Sequence, residues 1–137
     1  MTIRVVRDQQ AAMRHVIRVG PHSIFTDLSK EQGGEASGPS PHDLFDAALG
    51  ACKALTALLY AKRKHFPVEN IEVSVERDAG EERTGTYRLN TVLTLTGDLS
   101  TAQREELLRA VQKCPIQRLM TEVRTEITTT LAQPEGP

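Results

Sequence analysis

A long apolar helix constrains the fold of this chain more than any other feature of its sequence. Ser40 is a good N-cap, Pro41 fits the first helical position, and Asp43 can close a capping box. Beyond this start, apolar residues recur at helical spacing along one broad face: Leu44, Phe45, Ala48, Leu49, Cys52, Leu55 and Leu59. Basic residues precede a proline within residues 61–67, so the helix ends there after more than 20 residues. This pattern predicts a central, mostly buried helix.

Alternating apolar and polar residues on both sides of this helix predict strands. Residues 2–28 contain three such segments, and Gly20-Pro21 indicates a hairpin between the second and the third. A loop rich in Gly, Ser and Pro then leads into the helix. Residues 68–80 and 85–99 alternate in the same way, and we expect them to form a long antiparallel hairpin.

The region after this hairpin predicts two more helices and a last strand. One helix is capped by Ser100 or Thr101 and runs to Cys114. Pro115 interrupts it, and a further helix follows. Residues 124–132, RTEITTTLA, predict the last strand. The order βββ-α-ββ-α(α)-β indicates an α+β fold in which antiparallel sheets wrap around the long central helix.

Length and composition fit one globular domain over residues 1–137, with 39% apolar and 26% charged residues. The net charge is −1 with both signs mixed along the chain, and the chain has no tryptophan, which argues against a nucleic-acid partner. The N-terminus lacks the apolar run of a signal peptide. No stretch is expected to reach the roughly 20 apolar residues of a membrane span. We therefore expect a cytoplasmic protein without a membrane partner.

The two cysteines, Cys52 and Cys114, are the residues with the most chemical potential. They are too few for a structural zinc site, and the four histidines show no metal-ligand spacing, so no metal site is expected. Cytoplasmic thiols are kept reduced, which argues against a permanent structural disulfide. Two alternatives remain from the residues alone: a thiol pair that does redox chemistry, or two inert core cysteines.

The settings of the two thiols differ. Cys52 lies in the middle of the long helix, where burial alone leaves a thiol unreactive, and Lys53 points about 100° away from it around the helix. Any activating group must therefore come from elsewhere in the fold or from another subunit. Cys114 precedes Pro115, which fits the first position of a following helix, so Cys114 falls at the N-cap, where a thiolate is stabilised.

Several segments in a fixed order resemble the OsmC/Ohr family, the osmotically inducible and organic-hydroperoxide-resistance proteins. These are the Gly-Gly loop, the Ser-Pro helix start, LGAC in the central helix, LSTAQREELL, and the Cys-Pro of the later helix. LGACKALT and YAKRK are closer to the general OsmC-like branch than to the two best-known peroxidase branches. The resemblance covers almost the whole chain.

This resemblance implies an intertwined homodimer with two active sites at the subunit interface. It implies that Cys52 is the peroxidatic thiolate, which attacks an organic hydroperoxide and becomes a sulfenic acid. Cys114 is then the resolving cysteine, which condenses with it to a disulfide that an external dithiol reduces. The resemblance implies no metal, haem or flavin cofactor, and a small apolar hydroperoxide as substrate.

The chain departs from the peroxidase pattern at the residues that support the thiolate. His42 occupies the position at which the well-studied peroxidases carry a glutamate. Arg18 and Arg14 are candidates by location for the arginine, but neither has the usual glycine-arginine context. His42 lies ten residues before Cys52, about 15 Å along a straight helix, so the two can share a site only through a dimer or another arrangement.

Three functions are therefore compatible with the sequence. The first is a thiol-dependent organic hydroperoxide peroxidase, with an apolar pocket lined by Phe45, Leu49, Leu55 and the partner chain. The second is a dimer that binds a small lipid-like or electrophilic ligand in an interface pocket, with little or no peroxidase activity. The third is other thiol chemistry, such as thioester hydrolysis by Cys52 and His42.

Overall fold

The N-terminal part of the chain forms a three-stranded antiparallel sheet. In the computed structural model, which describes residues 1–134, the strands are β1 (Ile3–Arg7), β2 (His15–Val19) and β3 (His22–Thr26), with β2 in the centre. Val19 pairs with His22 across a two-residue turn whose first residue, Gly20, has φ +56°. Such a turn favours glycine at that position, and the predicted hairpin is confirmed.

The loop after β3 is organised by the carboxylate of Asp27, which is buried. The backbone N–H groups of Glu35 and Ser37 donate to its Oδ2 at 3.1 Å, and Ser37 Oγ donates to the same atom at 2.6 Å. The N–H of Leu28 donates to Oδ1 at 2.7 Å. The hydroxyl of Ser37 and then these backbone donors lower the pKa of Asp27 from 3.8 to about 2. A Cβ at Gly34 would lie 2.2 Å from the carbonyl oxygen of Leu28, so only glycine fits this fold of the loop.

Helix α1 (Pro41–Arg63) begins and ends where the sequence predicts. Ser40 Oγ accepts the N–H of Asp43 at 3.1 Å, and the Asp43 carboxylate accepts the N–H of Ser40 at 2.9 Å, which completes the capping box. Its 23 residues are long and apolar enough to cross a membrane by length and composition, so the prediction that no segment has this size was wrong. Here α1 packs against the other elements as the central helix of the fold.

The second hairpin and two further helices cover one side of α1. Strands β4 (Val68–Asp78) and β5 (Arg88–Gly97) pair antiparallel, as predicted. Helix α2 (Thr101–Gln112) is capped by Ser100, and α3 (Pro115–Thr121) follows it. Two short 3₁₀ helices lie in loops, at Lys30–Gln32 and Glu82–Thr84. The architecture is α+β, with β4, β5, α2 and α3 all packed on α1.

The covered side of α1 is not the side that its apolar pattern predicts. The residues that α1 buries are small or polar as well as apolar: Asp46, Leu49, Gly50, Lys53, Ala57 and Ala61. Gly50 allows the closest approach, because a Cβ there would lie 3.0 Å from Val75 Cγ2. The opposite side carries Leu55, which is 67% exposed, and also Leu58 and Leu59, which are exposed as well. The prediction of a mostly buried helix is therefore wrong for the single chain, because only one side of α1 is covered.

The first sheet and the segment at residues 124–132 are also left uncovered by the rest of the chain. The strands of the first sheet pack mainly against one another, and Ile3, Val5 and Phe25 are all exposed. The predicted strand at residues 124–132 does not form, although Ile127 and Leu131 alternate as a strand would. These two side chains are 83% and 94% exposed. A strand requires a neighbouring edge to pair with, and the segment meets none in this chain.

The total exposed surface shows how much of the molecule is uncovered. The chain exposes 10,689 Å² for a mass of 15.1 kDa. A folded monomer of this mass typically exposes about 7,100 Å², so the excess is about 3,600 Å². Large obligate interfaces bury about 2,000–5,000 Å² or more over both partners, or about 1,000–2,500 Å² for each chain, so the excess here is larger than one chain's usual share of such an interface.

We predict that Asp27→Asn destabilises the protein, because an amide cannot accept all the hydrogen bonds that this carboxylate accepts. The folded-state pKa is below its ordinary value, so ionised Asp27 stabilises the fold above about pH 4. This stabilisation is lost as the pH falls toward 2. Urea unfolding of the variant should give a lower midpoint than wild type at pH 7, and the gap should narrow in acid. Asp98→Asn, at an exposed carboxylate, is the control. Equal midpoints at pH 7 for Asp27→Asn and wild type would contradict the prediction.

Candidate functional site

Cys52 lies at the border between the covered and the bare side of α1. Leu49, one turn before it, is buried, whereas Leu55, about one turn after it, faces solvent. Cys52 itself is half-buried and free. The neighbouring cation, Lys53, directs its donors to Val111 and Gln117 rather than to this thiol. Within one chain, other residues therefore cover only part of the Cys52 side chain.

Cys114 is the N-cap residue of α3, as the sequence predicts. Its carbonyl oxygen accepts the N–H of Arg118 at 3.1 Å, and Pro115 takes the first helical position. Its side chain does not cap the helix, and the residue is only 1% exposed. The thiol is therefore held in the interior by the same corner that begins α3.

The two cysteines sit on helices that pack together. Helix α1, which carries Cys52, contacts both α2 and α3, and Cys114 lies at the junction of these two. Both thiols are free, so no disulfide joins them in this structure. The fold thus brings the two elements together and leaves both cysteines as free thiols, with Cys52 half-buried and Cys114 buried.

Lys53 is a site residue that the sequence does not reveal. It is 5% exposed, and its Nζ donates to the carbonyl oxygen of Val111 at 2.7 Å and to Oε1 of Gln117 at 2.6 Å. It therefore connects α1 to the end of α2 and to α3. Because Lys53 points away from Cys52 around the helix, the sequence gives no reason to assign it to the site. The one signal in the sequence is a lysine in the apolar middle of the helix.

A cluster of polar side chains joins the start of α1 to the second hairpin. The carboxylate of Asp46, which is buried, accepts Nε of Arg77 at 2.6 Å and the hydroxyl of Tyr87 at 2.6 Å. Nη2 of Arg77 also donates to Asp43 at 2.7 Å. The backbone N–H of Ser40 and then Arg77 lower the pKa of Asp43. Burial and then the Asp46 carboxylate raise the pKa of Tyr87.

His42 and Arg18, the predicted supporting residues, do not meet Cys52 within one chain. His42 is exposed, its Nε2 lies 3.0 Å from both carboxylate oxygens of Glu82, and its ring stands edge-on to Tyr87. Arg18 is exposed on β2, opposite Ser23, and no carboxylate in the described part of the chain pairs with it.

Arg14, the other arginine candidate, also has a local explanation. It pairs with Asp8 at 2.7 Å, and its guanidinium lies 4.9 Å from the ring centre of Phe25. These contacts fix the loop before β2 on the first sheet. Arg14 is therefore fully engaged away from α1.

A cavity of about 560 Å³ lies between α1, β5 and α3, and Cys52 is not one of its lining residues. Leu49 and Lys53, which flank this cysteine on the helix, both line it. The other walls mix apolar and polar side chains and come from Phe45, Tyr87, Leu89, Thr91, Gln117, Met120 and Thr121. The predicted pocket residues Phe45 and Leu49 are in these walls, whereas Leu55 lies on the bare side of α1. No three His, Cys, Asp or Glu side chains among residues 1–134 converge as metal ligands.

Comparison with known proteins gives the same fold. The profile of the family described as OsmC-like protein matches residues 33–130. A protein from Psychrobacter arcticus named for osmotic stress and detoxification is 16% identical, with a TM-score of 0.74 over 89% of each chain. An OsmC-like protein from Mycoplasma pneumoniae is 20% identical, with a TM-score of 0.71 over 89% of this chain and 87% of that one. The organic hydroperoxide resistance protein OhrB of Bacillus subtilis is 21% identical, with a TM-score of 0.57 over 89% and 92% of the two chains. No curated protein sequence matches the chain.

We predict that Asp46→Asn lowers the free energy of unfolding by about 1–3 kcal/mol, because Arg77 and Tyr87 lose a charged acceptor in a buried position. The pKa of Tyr87 should fall in the variant, since the carboxylate that helps to raise it is gone. Urea unfolding and an ultraviolet titration of the tyrosines measure the two effects. Glu72→Gln, on the exposed side of β4, is the matched control. An unfolding free energy equal to that of wild type would show that the cluster contributes nothing in solution.

Proposed function

The chain belongs to the OsmC-like protein family, and from this premise we propose that its single domain, residues 1–137, is a cytoplasmic thiol-dependent peroxidase for organic hydroperoxides. The observation that carries the proposal is the placement of its two cysteines. Cys52 and Cys114 are both free; Cys52 lies on α1, and Cys114 lies between α2 and α3, both of which pack against α1. Family membership and similarity in fold to proteins named for organic hydroperoxide resistance support the redox reading.

The reaction has two thiol steps and a reduction. The Cys52 thiolate attacks the distal oxygen of the hydroperoxide, the O–O bond breaks, and the alkoxide takes a proton and leaves as the alcohol. Cys52 is then a sulfenic acid. The Cys114 thiol attacks this sulfur, water leaves, and a disulfide forms. An external dithiol reduces the disulfide by thiol exchange and restores both thiols. The cycle uses no metal, haem or flavin.

The cavity lined by Leu49 and Lys53, which neighbour Cys52 on α1, supports a preference for organic hydroperoxides over hydrogen peroxide. Phe45, Leu49, Leu89 and Met120 give it apolar walls large enough for a small organic group. Burial of such a group adds binding free energy at about 25 cal/mol per Å² of apolar surface, which hydrogen peroxide cannot supply.

The active form in this proposal is an intertwined homodimer. Three parts of the chain are left without a partner surface by the rest of it: the bare apolar side of α1, the first sheet and the unpaired segment 124–132. A second copy of the chain has the same uncovered surfaces, and in a dimer the surfaces of the two copies cover each other. Because neither His42 nor Arg18 reaches Cys52 within one chain, any support that they give to the thiolate comes across the subunit interface.

A binding dimer is the second candidate, and the surroundings of Cys52 favour it. The closest cation in the sequence, Lys53, donates elsewhere, and the family glutamate is replaced by His42. With a weakly activated thiol, the cavity of about 560 Å³ would hold a small apolar ligand without turnover. Thioester hydrolysis by Cys52 and His42 is less favoured, because His42 pairs with Glu82.

We predict that the reduced wild type loses two thiols when it reacts with one equivalent of cumene hydroperoxide. Cys114→Ser should trap one added oxygen atom on Cys52, because the second step is blocked, and Cys52→Ser should not react. Free-thiol titration and intact mass, followed from seconds to minutes, measure all three. Hydrogen peroxide under the same conditions is the comparison substrate and should react more slowly.

Two outcomes separate the candidate functions. If all three proteins react only as fast as free cysteine, the peroxidase proposal fails. An apolar ligand that co-purifies with such an inactive protein would then support the binding dimer.

We predict a solution mass of two 15.1 kDa chains. Leu55→Glu should shift the protein toward monomers, since it places a charge on the bare apolar side of α1, where a buried leucine contributes about 1.5–3 kcal/mol. Sedimentation velocity across a dilution series measures the change. Ala102→Glu adds the same charge in the exposed first turn of α2 and should remain dimeric. A monomeric wild type would overturn the dimer.

A further inference from the structure

We propose that Lys53 is a positioning residue for disulfide formation, which ties the helix of Cys52 to the corner that holds Cys114. The proposal rests on the proposed peroxidase function and assigns a role to a residue outside the two thiols. Lys53 directly follows Cys52 in the chain, and its side chain reaches the α2–α3 junction.

The two acceptors of Lys53 lie symmetrically around Cys114. Val111 is three residues before this cysteine and belongs to the last turn of α2. Gln117 is three residues after it and belongs to the first turn of α3. Nζ of Lys53 bonds to both, at 2.7 Å and 2.6 Å. One ammonium group therefore fixes the corner on both sides of the thiol that must move or turn toward Cys52.

Burying the charge of Lys53 costs free energy, which indicates that its hydrogen bonds contribute to the stability of this region. Lys53 is 5% exposed, and no carboxylate within residues 1–134 forms an ion pair with it. A buried ammonium without a counter-charge is unfavourable unless its donors are satisfied. The carbonyl of Val111 is one of the last four of α2, which have no partner within the helix and carry partial negative charge. The positive charge of Lys53 and the partial negative charge at the end of α2 therefore stabilise each other.

This anchor acts on the second thiol step. A disulfide requires Cα atoms within roughly 4.4–6.8 Å and a restricted dihedral angle, so its rate depends on where the corner holds Cys114. Attack on the hydroperoxide forms no bond to Cys114 and does not depend on where the corner holds this thiol. Loss of the anchor should therefore slow the condensation of the Cys52 sulfenic acid with Cys114, which releases water, much more than it changes sulfenic acid formation, in which Lys53 takes part only as one wall of the cavity.

The test compares Lys53→Met with wild type in a single turnover with cumene hydroperoxide. Methionine keeps an unbranched apolar side chain and removes both hydrogen bonds. Rapid quenching and intact mass should show that the variant slows disulfide formation at least about tenfold more than it changes sulfenic acid formation, each relative to wild type. Lys62→Met, at an exposed lysine of the same helix, is the matched control and should behave as wild type. A Lys53→Met variant that folds but forms the disulfide at the wild-type rate, or slows both steps equally, overturns the proposal.

A redox titration separates this inference from the peroxidase function. Equilibration with reduced and oxidised glutathione measures the stability of the Cys52–Cys114 disulfide without any peroxide. Lys53→Met should lower the equilibrium constant for disulfide formation by about tenfold relative to wild type and Lys62→Met. If wild type does not react with hydroperoxide but this shift is seen, the peroxidase function fails and the positioning role stands. Identical constants in wild type and Lys53→Met contradict the positioning role.

Discussion

Helix α1 has two sides that must be covered, and its own chain covers only one of them. The covered side contains Gly50, Ala57 and Ala61, which let β4 and α2 approach the helix closely. The other side contains larger apolar residues such as Leu55 and remains in solvent. The uncovered sheet at one end of the chain and the unpaired segment at the other follow from the same arrangement. Each element beyond the covered side needs a surface that this chain does not provide, which is the physical reason for proposing a dimer.

Two charged residues on the covered side determine how the other elements sit on α1. Asp46 binds Arg77 and Tyr87 of the second hairpin. Lys53 binds the last turn of α2 and the first turn of α3. Apolar contacts alone tolerate small shifts between packed elements, whereas a buried charge loses its compensation if its partners move. The two anchors lie about two helical turns apart on α1. They therefore fix both the hairpin and the helix pair along its axis.

Local features could be predicted from the sequence, and features that depend on distant partners could not. The cap at Ser40, the hairpin at Gly20 and the N-cap position of Cys114 depend on neighbouring residues, and all three are confirmed. The covered side of α1 was predicted wrongly, because the apolar pattern does not distinguish the chain's own core from a second surface. The strand at 124–132 was predicted from alternation alone, but a strand needs an edge to pair with. The role of Lys53 depends on contacts 58 and 64 residues away.

The position of Cys52 connects these points to the chemistry. It lies where the covered side of α1 meets the bare side, so half of its environment comes from its own chain and half from whatever covers Leu55 and its neighbours. Its own chain supplies the nearby cavity and Lys53, which donates hydrogen bonds to residues on both sides of Cys114. Neither residue expected to support the thiolate is placed to do so within one chain, because His42 pairs with Glu82 and Arg18 is exposed on β2. In the proposed dimer, an activating charge from His42 or Arg18 would come from the partner subunit, and reactivity at Cys52 would then depend on dimer formation.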